Sequence, residues 1–346
     1  MFANKLFLKQ MFVELNGGML RLVGRRICNE RIRYRNGMLG GTLERNLLDV
    51  ETRDRAVKEV VAFNHALKCM EIPFLFVLVP AKKDFEVALL PEGYRVSSSN
   101  LEAAKVVSAL AECGVHTLDL APVFAATPAS VTRSFFATDH HWRYRTALSA
   151  ARLVANELSD LLSIPKLRDH PRLKEEKWRW KMLPRSFLGS GGRRTGRLFA
   201  GLDDFEYAVP KFRVTLERKI PSKKVRKRGD FKKAEIIAAL VDPKAEPSVN
   251  RYAAYTGGDV DVQRHVNANA PVSTKVLLVK DSFGNPVAAF WATVFKEVIQ
   301  VDTRKLSQGT TVLDIVERYR PNVVVELVNP GFLAGCSLGI PYESRR

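Results

Sequence analysis

The last quarter of the chain alternates between continuous apolar runs and amphipathic patterns. The apolar run at 276–279 predicts a buried parallel strand, and Pro286 lies in the first turn of the helix pattern that follows, where its missing N–H is harmless. Further strands are predicted at 297–301 and 322–328, and helices at 286–295 and 311–319. Strands and helices in this alternation predict an α/β fold with a doubly wound, mostly parallel sheet.

The same alternation is present earlier in the chain. Apolar positions at helical spacing predict a helix over 52–69, and the unbroken apolar run at 74–79 predicts a second buried strand. A helix to about Glu112 follows, for which the serines at 97–99 are candidate N-caps. Next come a predicted strand at 115–120 and a long amphipathic helix from Trp142 to about Leu162.

Two segments depart from this pattern and suggest how the chain is divided. Residues 1–50 are rich in Arg and Gly and irregular, although the pair Asn36 and Gly37 predicts a short β-hairpin. Residues 51–346 are predicted to form an α/β domain that contains an irregular basic insertion at about 165–250.

The basic insertion contributes much of the net charge of +18. Residues 187–196 are predicted to form a flexible basic loop, a strand is possible at 236–240, and residues 223–228 read Lys-Lys-Val-Arg-Lys-Arg. Attraction to an anionic membrane surface, attraction to an acidic polymer, and a merely solvated loop each explain this charge. Nucleic acid is not a predicted partner, because no nucleic-acid-binding motif accompanies the charge.

Composition excludes several other classes of protein. No apolar run reaches about 18 residues, so the sequence predicts no membrane-spanning segment. The first 15 residues lack the apolar core and cleavage site of a signal peptide, and could form a short amphipathic helix or reflect a start site placed too far downstream. The four cysteines are scattered without metal-binding spacing, so no metal site and no cofactor are predicted.

Two motifs that lie far apart in sequence are candidates for chemistry. Asp-His-His-Trp at 139–142 precedes a predicted helix, and Asp-Ser-Phe-Gly-Asn at 281–285 links a predicted strand to a helix. Ser282 would then lie at the carboxyl edge of the sheet, where open α/β sheets bind ligands. A serine nucleophile needs a base, and the base needs an orienting acid; His141 and Asp139 can supply both.

A structural role also explains each motif. Asp139 could cap the helix that starts nearby, and Ser282 could cap the helix that follows it. Both interpretations remain open from the sequence. If the residues are catalytic, Gly257 and Gly258 could present backbone N–H groups to an oxyanion, beside the N–H of Ser282.

The two motifs together resemble those of the bacterial DHHW proteins, a family similar to the alginate O-acetylation proteins with their SGNH-hydrolase-like domain. The resemblance runs from about residue 36 to 329 and includes looser matches at 79–82 and 255–259. It implies a flavodoxin-like, three-layer domain with Ser282 as nucleophile, His141 as base and Asp139 as orienting acid. Two residues in the matching segments are further candidates for oxyanion or substrate contacts: Lys82 and Asn285.

The resemblance also implies a function. The protein would be a serine-dependent O-acetyltransferase or acetylesterase that acts on a cell-surface or exported polysaccharide through an acyl-enzyme. A membrane-bound O-acyltransferase would supply the acetyl group, and the site of action would be the cell envelope, outside the cytoplasm. The alternative is a non-catalytic accessory protein of a polysaccharide modification system that binds a polyanionic glycan.

Overall fold

The central sheet has eight strands in the part of the chain that the computed structural model describes, residues 2–41, 48–82 and 99–335. In chain order, the strands of these described residues are β1 (Ile27–Cys28), β2 (Arg31–Arg33), β3 (Leu39–Gly41), β4 (Phe74–Leu78), β5 (His116–Asp119), β6 (Trp178–Phe187), β7 (Asp203–Pro210), β8 (Leu216–Ile220), β9 (Val225–Gly229), β10 (Val262–Asn267), β11 (Val272–Lys280), β12 (Phe295–Val301) and β13 (Val323–Val328).

The spatial order of the central sheet is β5-β4-β13-β11-β12-β10-β8-β9. The pairs from β5 to β12 are parallel, and β10, β8 and β9 continue the sheet in antiparallel fashion. The prediction of an α/β fold with a mostly parallel sheet is therefore confirmed. The carboxyl ends of β4, β13, β11 and β12 lie side by side at one edge.

Helices cover both faces of this sheet, and others pack outside it. The helices of the described residues are α1 (Phe2–Leu22), α2 (Val50–Cys69), α3 (Ser99–Glu112), α4 (Ala121–Phe124), α5 (Pro128–Ser134), α6 (Tyr144–Leu161), α7 (Ser190–Thr195), α8 (Arg197–Ala200), α9 (Phe231–Glu235), α10 (Gly284–Trp291), α11 (Val312–Tyr319) and α12 (Pro330–Gly335). The N-cap candidates Ser97 and Ser98 lie outside the described residues.

The core has two halves, one on each face of the sheet. Successive residues of a strand point to opposite faces, so Leu277 packs with α2, α3 and α11, whereas Leu278 packs with α6 and α10. Both faces of β11 are buried from Val276 onward, which explains why residues 276–279 are continuously apolar rather than alternating. Three layers result, and β11 lies in the middle one.

The basic insertion is more regular than its sequence indicates. Strands β8 and β9 belong to the central sheet, and β6 pairs with β7 in a separate antiparallel ribbon. The strand expected at 236–240 is wrong: Ile236 makes an isolated bridge with Tyr255, and a 3₁₀ turn occupies Ala238–Leu240. A run of five residues with one bridged position cannot form a ladder.

The N-terminal segment is also ordered where it is described. The hairpin expected around Asn36 and Gly37 is present, since β2 and β3 pair in antiparallel register. Helix α1 packs against α7 and α8, although the sequence of the first 50 residues predicts little regular structure beyond a short helix and the hairpin. None of the described helices combines the length and apolar character that a membrane crossing requires.

Candidate active site

A cavity of about 340 Å³ opens at the carboxyl edge of the parallel strands. Each of four neighbouring strands sends a residue into its lining: Lys82 follows β4, Asn329 follows β13, Ser282 follows β11 and Arg304 follows β12. Open α/β sheets bind their ligands at this edge. The cavity is therefore the candidate active site.

Ser282 lies in a sharp turn between β11 and α10. Buried Asp281 holds this turn, because its Oδ1 accepts the N–H of Phe283 at 2.8 Å and its Oδ2 accepts the N–H of Asn329 at 2.8 Å. A Cβ on Gly284 would lie 2.6 Å from the Cβ of Lys280, so only glycine lets α10 start so close to the strand. The turn presents the hydroxyl of Ser282 to the cavity from a rigid support.

The Asp-His-His-Trp motif forms a closed turn before α6. Phe135 and Trp142 bridge across its base, and the N–H of Phe136 donates to the carbonyl of His141 at 3.1 Å. Helix α6 begins at Tyr144 with Arg143 at its N-cap and no side-chain cap. The interpretation of Asp139 as a cap of this helix is therefore wrong.

The structure brings Asp139, His141 and Ser282 together, although Ser282 is 141 residues from His141 in the chain. Nε2 of His141 lies 2.6 Å from Oγ of Ser282, and Nδ1 lies 2.5 Å from Oδ1 of Asp139. The same Oδ1 accepts the backbone N–H of His141 at 3.0 Å. A carboxylate on Nδ1 favours the tautomer in which Nε2 can accept a proton from the serine.

Asp139 is buried and remains charged. Burial by itself would raise the pKa of Asp139, but the imidazoles of His141 and His140 and the hydrogen bonds from His141 and Ser190 hold that pKa well below its usual range. Its second oxygen, Oδ2, accepts the backbone N–H of Ser190 at 2.5 Å. Ser190 is the first residue of α7, so the carboxylate of Asp139 binds the start of that helix as well as the imidazole of His141.

The segment predicted to be a flexible basic loop, residues 187–196, is instead packed against this turn. Gly189 donates its N–H to Oγ1 of Thr138 at 2.8 Å, and a Cβ on Gly189 would lie 2.3 Å from the Cβ of Asp139. The glycines in this segment permit close approach rather than flexibility. Sequence reasoning missed Ser190 as a partner of Asp139, and the small-residue run Gly-Ser-Gly-Gly at 189–192 was the available signal.

Aromatic rings enclose the imidazole of His141. Tyr252 stacks on it with ring centroids 3.8 Å apart and an interplanar angle of 12°, and His140 lies at 3.8 Å and 37°. Although neighbouring residues near a helix start would be expected to diverge, His140 stays at the site: its Nδ1 lies 2.9 Å from Oγ of Ser190, and it lines the same cavity. The imidazoles of His140 and His141 thus lie side by side but have different hydrogen-bond partners.

Lys82 stabilises the turn formed by the Asp-His-His-Trp motif. Its buried ammonium donates to the carbonyls of Phe136, Ala137 and Asp139, at 2.7, 2.9 and 2.5 Å. All three donors of the ammonium are then used on the backbone of the turn. Lys82 lines the cavity, but its donors are used to hold the turn that carries Asp139 and His141 rather than left free for an oxyanion or substrate.

Lys82 gives the site an expected pH dependence. Burial lowers the pKa of Lys82 to about 8, while Asp203 and Asp139 favour its charged form. We expect turnover of a small acetyl ester to fall as pH rises through this value, because a neutral amine can donate two hydrogen bonds where the ammonium donates three. The measurement is kcat/KM between about pH 7 and pH 10, corrected for spontaneous hydrolysis.

The effect of Lys82 on stability has the opposite sign. In the unfolded chain a lysine keeps its proton up to about pH 10.4, so between the two pKa values the folded state binds fewer protons and Lys82 makes it more stable as pH rises. Loss of turnover should therefore precede any fall in the thermal midpoint. The variant Lys82→Gln keeps a donor but does not titrate, and an unchanged alkaline decline in that variant would contradict the assignment.

The glycine pair is placed elsewhere. Gly257 and Gly258 are not among the described residues that line the cavity, and they have φ values of 86° and 91° in a turn that leads to Asp259. Asp259 accepts from Nζ of Lys280 and from Nδ2 of Asn285, each at 2.9 Å. The two glycines thus form the turn that places Asp259 in this buried network. They do not form an oxyanion site at Ser282.

Asn285, another predicted substrate contact, belongs to the same network. It is buried, its Oδ1 accepts from Lys280 at 2.7 Å, and it does not belong to the described lining of the cavity. Arg304 joins the network to the cavity, since it lines the cavity and donates to Asp259 at 3.1 Å. Lys280 and Asn285 therefore stabilise the turn of Ser282 from the buried side, away from the cavity.

Asp139, His140 and His141 are also close enough to resemble a metal site, with candidate ligand atoms within 4.8 Å of one another. However, both oxygens of Asp139 accept hydrogen bonds, and both nitrogens of His141 are paired. A cation would have to displace these hydrogen bonds. The donor set fits a proton-transfer chain better than a metal centre.

Comparison with known proteins agrees with the resemblance seen in the sequence. Residues 43–180 match the family model described as the SGNH hydrolase-like domain of the acetyltransferase AlgX. This span contains Lys82, Asp139 and His141 and ends before Ser282. No curated protein sequence matches the chain.

Solved structures establish the fold over most of the chain. PatB1 from Bacillus cereus superimposes with a TM-score of 0.69 and 18% identity, over 88% of this chain and 96% of that one. A DHHW family protein from Eubacterium siraeum gives a TM-score of 0.64 and 17% identity, over 92% of this chain and 97% of that one. The predicted resemblance to the DHHW and alginate O-acetylation proteins is thus confirmed, with an SGNH-hydrolase-like fold.

Proposed function

We propose that the protein is a serine-dependent O-acetyltransferase or acetylesterase. One observation carries the proposal: an unbroken hydrogen-bonded chain runs from Asp139 through His141 to Ser282 and ends in an open cavity. Nucleophile, base and orienting acid in this geometry are the recurrent device for acyl transfer on unrelated folds.

The reaction would proceed in two halves. Oγ of Ser282 attacks the acetyl carbonyl of the donor while its proton passes to Nε2 of His141. The tetrahedral intermediate collapses, the donor oxygen leaves with the proton from His141, and Ser282 carries the acetyl group. A hydroxyl of the acceptor then attacks, gives its proton to His141 and leaves acetylated, while Ser282 recovers its proton. Water in place of the acceptor hydroxyl gives acetate.

Two features would stabilise the developing charges. The backbone N–H of Ser282 would donate to the oxyanion, and the dipole of α10, which begins two residues later at Gly284, would favour its negative charge. The imidazolium of His141 is balanced by Asp139, whose low pKa keeps it ionised at every pH at which the base can act.

We propose a polysaccharide as the acceptor. The matching family model is named for the acetyltransferase AlgX. Arg31 lines the cavity and would contact an acidic sugar, whereas Arg304 is already paired with Asp302 and Asp259. A membrane-bound O-acyltransferase as the acetyl source and a location outside the cytoplasm complete this proposal.

The acyl-enzyme is the species to look for. We expect rapid mixing with 4-nitrophenyl acetate to release nitrophenol in a burst of about one equivalent, because deacylation by water is the slower half-reaction without acceptor. Mass spectrometry of the quenched protein should place one acetyl group on Ser282. A sulfonyl fluoride should modify the same residue, since one structure of the similar PatB1 contains a sulfonyl adduct. Acetylation of lysines alone, with no turnover, would overturn the proposal.

A second candidate function has its own observation. A surface groove of about 520 Å³ beside β9 is lined by basic residues from three segments of the insertion, Arg179, Lys181, Arg213 and Lys232. A non-catalytic protein that binds a polyanionic glycan would use such a groove. Glycan binding that persists in a protein without any acetyl-ester turnover would favour this alternative.

A further inference from the structure

The described part of α1 exposes a stripe of apolar side chains. Of the eleven large apolar residues that are exposed among the described residues, six lie between positions 11 and 23, and Leu22 is 88% exposed. They are Met11, Phe12, Leu15, Met19, Leu22 and Val23. Clustering of this kind on one short segment marks an interaction surface rather than scattered surface residues.

The stripe is one face of the helix. At roughly 100° per residue, the five stripe residues within α1 lie in an arc of about 100°. The opposite side faces the protein: a Cβ on Gly17 would meet the carbonyl of Thr195 at 2.0 Å, and Oε2 of Glu14 accepts the N–H of Leu198 at 3.2 Å. The helix is therefore held on the body by one face while the apolar stripe faces outward.

Exposed cations flank the stripe at both ends, and Glu246 lies beside Met11 and Leu15 in a groove along α1. Lys9 precedes it and Arg25 and Arg26 follow it, and all three are exposed. The acidic residue of this segment, Glu14, is half-buried and turned toward Leu198. An apolar stripe bordered by exposed cations matches the boundary between anionic headgroups and acyl chains.

We propose that α1 binds the surface of an anionic lipid bilayer, with its axis in the plane of the interface and the stripe in the acyl boundary. The inner face of the helix is already packed against α7 and α8, which leaves the stripe as the face that can meet the bilayer. Because Ser190 of α7 donates to Asp139, the membrane contact is one helix away from the candidate active site. The enzyme would thus work beside the membrane surface.

Flotation with vesicles tests this directly on the full chain. Vesicles of phosphatidylglycerol and phosphatidylcholine in equal parts should carry the protein upward in a density gradient, and vesicles of phosphatidylcholine alone should carry much less. The triple variant Phe12→Ser, Leu15→Ser, Met19→Ser should lose at least tenfold in partitioning. Its turnover of a small acetyl ester should match the wild type, because none of these residues lines the cavity.

A matched variant controls for loss of apolar surface in general. Val50→Ser, Val123→Ser, Met182→Ser removes three exposed apolar side chains from other surfaces and should float like the wild type. The proposal is overturned if the stripe variant floats as well as the wild type, or if binding depends only on Lys223, Lys224, Arg226, Lys227 and Arg228. It is also overturned if the wild type ignores vesicles and elutes as a dimer that the stripe variant abolishes, because a second copy would then cover the stripe.

Discussion

Replacement of Ser282 by alanine should lower acetyl-ester turnover by about 10³-fold or more, the loss that follows when the nucleophile of a triad is removed. The substitution deletes one oxygen from a half-buried side chain and leaves the turn intact, because Asp281, Phe283 and Asn329 hold it through other atoms. The thermal midpoint should change by no more than a few degrees. The assay is the burst and steady-state rate with 4-nitrophenyl acetate, together with the loss of the acetylated peptide.

The chain offers a close control in Ser190. It lines the same cavity, and its hydroxyl also lies within hydrogen-bond distance of an imidazole, that of His140 at 2.9 Å. Ser190→Ala keeps the backbone N–H that Asp139 accepts, so we expect less than about a tenfold loss of turnover. A retained burst in Ser282→Ala, with its loss in Ser190→Ala, would transfer the role of nucleophile to Ser190.

The parallel half of the fold was predictable because its strands are buried on both faces. Strand β4 and residues 276–279 of β11 are uniformly apolar, and β13 is apolar except for Glu326. Apolar runs this short favour a buried strand over a helix. The strands of the insertion were missed for the converse reason. Strand β9 reads Val-Arg-Lys-Arg-Gly and lies at an edge of the sheet, where exposed charges discourage pairing with other chains and remove the apolar signal.

Some contacts of the candidate site were likewise predictable from the sequence, and others were not. Asp139 and His141 were predictable as a pair because two residues of one turn meet without help from the rest of the fold, and the strand–turn–helix pattern located Ser282 at the sheet edge. The contacts of Ser190 and Lys82 were not predictable, because they depend on backbone groups brought together from distant segments. A Gly-Gly pair carries even less information: at 257 and 258 it meets a requirement for positive φ in a structural turn.

Asp139→Asn should lower turnover by about 10³- to 10⁴-fold while the protein stays folded. Asparagine has one acceptor oxygen and one donor group, whereas the carboxylate accepts through both oxygens, from His141 on one side and Ser190 on the other. If the amide group faces His141, Nδ1 becomes the acceptor and Nε2 carries the proton. The imidazole then points an N–H at Ser282 and cannot act as its base.

The same substitution must also cost stability, because one buried donor loses its acceptor, and a control has to separate this cost from the chemistry. Asp203 provides it. Its carboxylate, at the start of β7, is buried against the same turn and accepts from the backbone of Ala137 and Thr138 at 2.7 Å each and from Oγ1 of Thr138 at 2.6 Å. Asp203→Asn should lower the free energy of unfolding by about 1–3 kcal/mol, as is expected for Asp139→Asn, yet retain turnover within about tenfold. The rates are compared at about pH 6, where Lys82 stays charged, because Asp203 also favours the charged form of Lys82. Rates and thermal midpoints of the two variants, measured side by side, decide the matter. If both lose activity equally, Asp139 serves the turn alone; if only Asp139→Asn is inactive at comparable stability, its charge and acceptor pattern act on His141.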